Sequence, residues 1–135
     1  MLKKTVKFVD YNGVEREEDF YFNLSKAEVM EMELSTAGGL AETIQRIVAA
    51  KDSAAIIKIF KKLVLDSYGV KSADGRRFIK SQELRDEFEQ TEAYSQIFME
   101  LATDADAASN FVNGIVPADI AEEANKANHP ALKGN

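Results

Sequence analysis

Apolar and polar residues alternate in two short runs near the N-terminus. Leu2, Val6 and Phe8 interleave with Lys3, Thr5 and Lys7, and Phe20 and Phe22 interleave with Asp19 and Tyr21. This is the period of two that a half-buried strand requires. Between the runs stands Tyr11-Asn12-Gly13-Val14. Asn and Gly both tolerate the positive φ of a type I′ turn, so the spacing predicts a hairpin with strands near 2–10 and 15–22. Lys3, Lys4 and Lys7 can then face Glu15, Glu17, Glu18 and Asp19 across the ladder. A two-stranded ribbon is not stable alone in water and must pack on helices or join another chain's sheet.

From Ser25 onward the period changes to that of helices. Ser25-Lys26-Ala27-Glu28 has the form of a capping box, and Leu24 with Val29 that of a hydrophobic staple. A helix is predicted from Ser25, with Val29, Met30 and Leu34 inward and a break at Ser35-Thr36-Ala37-Gly38-Gly39. Leu40, Ile44, Ile47 and Val48 predict a second helix through Ala50, and Asp52-Ser53 can cap a third. That third helix has a wide apolar face of Ile56, Ile57, Phe60, Leu63, Val64 and Tyr68, with Lys58, Lys61, Lys62 and Asp66 opposite, and stops at Gly69.

Residues 70–81 hold an Asp74-Gly75 turn and the apolar pair Phe78-Ile79, and read as a loop with a strand-like stretch. Ser81, Thr91 and Asp104 can each cap a further helix. Their inward residues are Leu84 and Phe88, then Tyr94, Ile97, Phe98 and Leu101, then Ala108, Phe111, Val112 and Ile115. Pro117 ends the pattern. The predicted class is α+β, an N-terminal β-hairpin followed by a mainly helical domain of about five or six short helices. Residues 1–117 are expected to form one domain (hairpin 2–22, helical part 25–116), with 118–135 a flexible C-terminal tail.

The composition agrees with one ordinary core, 45% apolar and 30% charged over 135 residues. With no Cys, disulfides, thiol nucleophiles and thiolate metal sites are excluded together. The N-terminal Met1-Leu2-Lys3-Lys4 has no apolar run behind it and does not read as a signal peptide. No stretch approaches the roughly 18 apolar residues of a membrane span, so no membrane partner is expected. Net charge is −6 and unevenly placed. Residues 51–80 carry eight bases against three acids, whereas residues 81–124 carry one base against eleven acids. These blocks either attract one another or colour separate solvated faces, the second being the commoner case. An acidic chain with no basic stripe interleaved with aromatics argues against nucleic-acid binding.

Catalytic signals are weak. The one imidazole, His129, falls in the predicted tail, and neither HExxH nor a Cys cluster is present, so no cofactor or metal is expected. Asp10-Tyr11-Asn12-Gly13 resembles the opening of a calcium loop, but Tyr21 stands where its bidentate Glu belongs. Gly69-Val70-Lys71-Ser72 lacks the remaining glycine spacing of a phosphate-binding loop. An enzyme would have to rest on carboxylates such as Glu100, Asp104 and Asp106, gathered in a pocket.

Ser53-Ala54-Ala55-Ile56-Ile57-Lys58-Ile59-Phe60-Lys61-Lys62, Tyr68-Gly69-Val70-Lys71, Phe88-Glu89-Gln90-Thr91-Glu92-Ala93-Tyr94 and Phe111-Val112-Asn113-Gly114-Ile115-Val116-Pro117 resemble, in texture and order, small tail assembly chaperones of long-tailed bacteriophages. The resemblance runs from the hairpin to Pro117. It implies a non-catalytic protein of the host cytoplasm that coats the tape-measure protein, passes it to tail tube subunits and is absent from the mature virion. It also implies two forms made by ribosomal frameshifting, with which Lys133-Gly134-Asn135 is compatible, since codons for these residues can compose a slippery heptamer. A homo-oligomer is expected, through a hairpin edge or surplus apolar helix surface. Ile59, Met99 and Phe111, with Lys58, Lys61 and Lys62, are the candidate partner-binding residues, Ile59 and Met99 because they fall off the inward stripes. The alternative function is a structural head-tail connector, completion or minor virion protein.

Overall fold

The computed structural model describes residues 1–35, 45, 49 and 53–117. The hairpin forms where alternation predicts it, with β1 at Leu2–Val9 and β2 at Glu15–Phe22 in antiparallel register from Leu2 opposite Phe22 to Val9 opposite Glu15. Its turn differs from the predicted one. The Gly13 N–H donates to the Asp10 carbonyl and the Asp10 N–H to the Val14 carbonyl, both at 2.9 Å, so Tyr11 and Asn12 occupy the bend. Gly13 follows at φ +78, the three-residue loop with a left-handed glycine.

After the hairpin come α1 (Lys26–Ser35), α2 (Ser53–Ser67), β3 (Tyr68–Lys71), β4 (Phe78–Ile79), α3 (Gln82–Glu89), α4 (Glu92–Thr103) and α5 (Ala105–Ile115). The class is α+β, as expected. The capping box closes reciprocally, the Ser25 N–H reaching Glu28 Oε1 at 2.9 Å and the Glu28 N–H reaching Ser25 Oγ at 3.2 Å. Ser81, Thr91 and Asp104 accept backbone N–H groups at the starts of α3, α4 and α5, each satisfying donors that the first turn leaves free. Of the helix predicted over 40–50, only Gln45 and Ala49 are described, both helical and exposed. The rest of that helix, Asp52 of the predicted cap and the predicted tail lie outside the described residues, while Ser53 is the first residue of α2.

The strand-like stretch expected at Phe78-Ile79 is β4, and it pairs with a strand that was not expected, so that the two make half of a sheet. Tyr68, predicted to close the apolar face of a helix, opens β3, and the strands run in the order β1-β2-β3-β4. β3 pairs with β2 through Tyr21 opposite Gly69 and Phe22 opposite Tyr68, and with β4 through Val70 opposite Ile79 and Lys71 opposite Phe78. The hairpin thus finds its third strand within its own chain. Gly69 is needed there, since a Cβ would stand 2.7 Å from the Phe78 ring and 2.9 Å from the Ile79 carbonyl oxygen.

One face of the sheet supplies Val6, Phe8, Phe20 and Phe22, which join Leu24, Val29, Phe60, Leu63, Val64, Phe88, Ile97, Leu101, Phe111 and Ile115 in the core. At the base of the hairpin, the Asn23 N–H donates to the Ser67 carbonyl at 2.8 Å and the Leu24 N–H to the Ile115 carbonyl at 2.7 Å. The buried Ser67 hydroxyl is satisfied by the Leu63 carbonyl at 2.6 Å.

Three expected orientations are corrected. Met30, predicted inward, is 64% exposed, while Met32 is partly buried against the core. On α2, Ile57 is exposed and Ile59 packs on the core, the reverse of the expected arrangement, because the apolar residues are too dense to set the helical phase. Lys4 shares the core-facing side of β1 with Leu2 and Val6, so its ammonium reaches Glu100 of α4 at 2.5 Å, not a β2 carboxylate. Lys7 does meet Glu17 across the ladder at 3.7 Å.

Candidate functional site

The six residues singled out for partner contact part company in the fold. Lys58, Lys61 and Lys62 occupy the outward side of α2, opposite buried Phe60, Leu63 and Val64. They line, with Leu65, Asp66 and Arg85, a shallow depression of about 310 Å³ where α2 meets α3. A second depression of about 410 Å³, reaching Leu24, Glu28, Glu31 and Met32, shares Lys62, Asp66 and Arg85 with the first. Together they form one groove. Met99 is 55% exposed on α4 but lines neither part. Phe111 is 2% exposed, its ring edge-on to Phe22 with centroids 5.3 Å apart. It is a core residue in the folded chain, which corrects its reading as surplus surface, as Ile59 is corrected by its packing.

Three of the groove's four cations have partners among the described residues. Lys61 pairs with Glu89 at 3.0 Å and Lys62 with Asp66 at 2.7 Å. Hydrogen bonding to Glu89, and then its charge, keep the Lys61 ammonium above its ordinary pKa. Arg85 donates through Nε to the Leu65 carbonyl at 3.1 Å. Lys80 and Glu28, 2.6 Å apart, tie β4 to the start of α1 beside the groove. Burial pushes the Glu28 carboxyl up, but hydrogen bonds from Lys80 and the Ser25 N–H outweigh it, and its pKa falls below the ordinary value.

Apolar surface is offered elsewhere as well. At the hairpin tip Val9 is 51%, Tyr11 80% and Val14 53% exposed. The tip is braced from within, since Asp10 Oδ1 accepts from the N–H groups of Asn12 and Val14, and Oδ2 takes Arg16 Nε at 2.6 Å. The Arg16 hydrogen bond, followed by that from Val14, lowers the Asp10 pKa. Arg85, Met32, Ile57 and the tip were all missed from sequence. Arg85 alone left a signal, as the single base among the acids of residues 81–124.

Two of the three carboxylates considered for catalysis are otherwise engaged. Glu100, Asp104 and Asp106 do line one depression with Leu2 and Lys4. Asp104, however, accepts the Asp106 and Ala107 N–H groups as a helix cap, and Glu100 pairs with Lys4. Among the described residues, no group of three or more His, Cys, Asp or Glu is placed to hold a metal ion. No described helix is long and apolar enough to cross a membrane. His129 lies outside the described residues.

What these surfaces present is exposed apolar and charged side chains suited to contact with protein. The family profile described as phage tail assembly chaperone matches residues 1–134, and the chain belongs to that family. No curated protein and no solved structure matches it. Partners in tail assembly are therefore proteins.

Proposed function

We propose that the protein works without catalysis, coating the tape-measure protein and delivering it to tail tube subunits. It acts in the host cytoplasm as a homo-oligomer and is absent from the finished virion. The observation that carries this reading is the family match along residues 1–134. The α2–α3 groove supports it. Leu65 and Met32 line it together with the bases Lys58, Lys61, Lys62 and Arg85 and the acids Glu28, Glu31 and Asp66, a mixed apolar and charged lining that suits an amphipathic client helix. Ile57 and Met99 add exposed apolar contacts.

Co-expression with the tape-measure protein of the same phage tests the reading. The client's soluble fraction should rise and the two should co-purify. No rise and no co-purification overturn it. Mass spectrometry of purified particles separates it from the connector alternative, since finding this chain at structural copy number in virions is the outcome a connector requires.

A further inference from the structure

The order β1-β2-β3-β4 leaves β1 at the margin of the sheet. Two hydrogen bonds fix which of its backbone groups face outward. Asp10 N–H to the Val14 carbonyl closes the β1–β2 ladder at the tip, and Asn23 N–H to the Ser67 carbonyl extends the β2–β3 ladder at the base. Because bonded and non-bonded pairs alternate in an antiparallel ladder, the even-numbered residues of β1 and β2 bond each other. Lys3, Thr5, Lys7 and Val9 therefore direct their N–H and C=O groups away from β2. On the far side of the ribbon, β3 pairs only with Tyr21 and Phe22. The outward backbone groups of Glu15, Glu17 and Asp19 lie beyond that register.

Among the described residues, the ribbon thus has two unpaired edges of opposite charge. β1 carries Lys3, Lys4 and Lys7 and no acid, and the distal part of β2 carries Glu15, Glu17, Glu18 and Asp19 against Arg16. We propose that the β1 edge of one copy pairs antiparallel with the distal β2 edge of a second copy. The register sets Lys3 opposite Asp19, Thr5 opposite Glu17 and Lys7 opposite Glu15 of the second copy. It keeps core-facing residues on one side, with Lys4 opposite Glu18 and Phe8 opposite Val14. Symmetric β1-to-β1 pairing centred on Thr5 instead sets Lys3 against Lys7 twice, and like charges directly opposite are unfavourable. Lysines on an edge strand also guard against that pairing. Since each copy uses one edge of each kind, the contact is heterologous and grows into a ring or an open chain. The inference deepens the proposed self-association and rests on it, but not on the identity of the client.

A charge exchange tests it on the full chain by sedimentation velocity at low salt, with circular dichroism as the check on folding. Wild type should assemble with rising concentration. K3E/K7E has two acidic edges and E15K/D19K has a β2 edge turned basic, so each alone should associate about tenfold or more weakly. An equimolar mixture should recover assembly, because every edge again meets its opposite. Thr5→Pro, which removes an outward N–H and the side-chain bond from Thr5 to Asp19 but no backbone bond of the ladder to β2, should also weaken assembly. A wild-type chain that stays monomeric, a Thr5→Pro chain that assembles as wild type, or charge variants that fail to recover on mixing overturns the proposal. So does a dimer indifferent to both charge variants, the mark of β1-to-β1 pairing, in which K3E/K7E only exchanges one pair of like charges for another. A monomeric wild type that still solubilises the tape-measure protein sinks the edge pairing alone.

Discussion

The ring of Tyr68 lies stacked on that of Phe88, centroids 4.2 Å apart and planes 13° from parallel. One residue opens β3 and the other is the buried residue of α3. Phe88 also meets Phe20 at 5.3 Å, Phe22 at 5.8 Å and Tyr94 at 5.5 Å. It is the point at which hairpin, second strand pair and helices come together. Phe88→Ala should lower unfolding free energy by about 3–5 kcal/mol, measured by urea denaturation. A loss under about 1 kcal/mol would mean that the site collapses or that the ring is not packed as described.

Phe111 and Met99 should behave oppositely. Phe111→Ala opens a void beside Phe22 and should destabilise by about 3–5 kcal/mol. Met99→Ser, at an exposed position, should change stability by no more than about 0.5 kcal/mol. If Met99 contacts the client, the same change lowers the yield of soluble tape-measure protein in co-expression. An unchanged yield removes Met99 from the contact surface.

Acid should loosen the junction of β4 with α1. The Glu28 carboxyl has its folded pKa below the ordinary 4.5. Its contribution is therefore fully present above that value and is lost as pH falls through the folded pKa. Lys80→Met should cost about 1–2 kcal/mol at neutral pH and flatten the acid limb of the stability curve. Equal pH dependence in the two proteins would show that the pair plays no part.

Gly69→Ala should destabilise by about 1–3 kcal/mol, because the Ile79 carbonyl cannot move aside as freely as the Phe78 ring. Thermal melts compare it with Gly75→Ala. There the difficulty is φ +74 alone, with nothing within 4 Å of the added carbon. Crowding should make Gly69 the costlier of the two if β4 is seated on β3 as described.

The hairpin and four helix starts were legible because each is written locally. Alternation sets the strands, and Ser25, Ser81, Thr91 and Asp104 make bonds within three residues of themselves. The second strand pair was not, since Val70 and Ile79 offer too short an alternation, and Tyr68 continues the apolar spacing of α2. Its place beside β2 is a long-range choice. The phase of α2 was illegible for a related reason: Ile56, Ile57, Ile59 and Phe60 allow more than one inward face, and neighbours choose. Of the candidate site, the lysines of α2 were readable as a solvated stripe. Arg85 reaches the groove only by tertiary placement, and Phe111 was misjudged although it lies on the inward stripe of its own helix.

The amide of Leu24, held by the carbonyl of Ile115, bears on how the molecule is born. The ribbon is synthesised before α5, yet one of the two bonds that fasten its base waits until that last described helix has been made. Until then the phenylalanines at its base lack part of their cover, and a nascent chain is open to aggregation or to early capture by another polypeptide. Changes at buried Ile115 should consequently reduce yield in the cell as well as stability in the test tube.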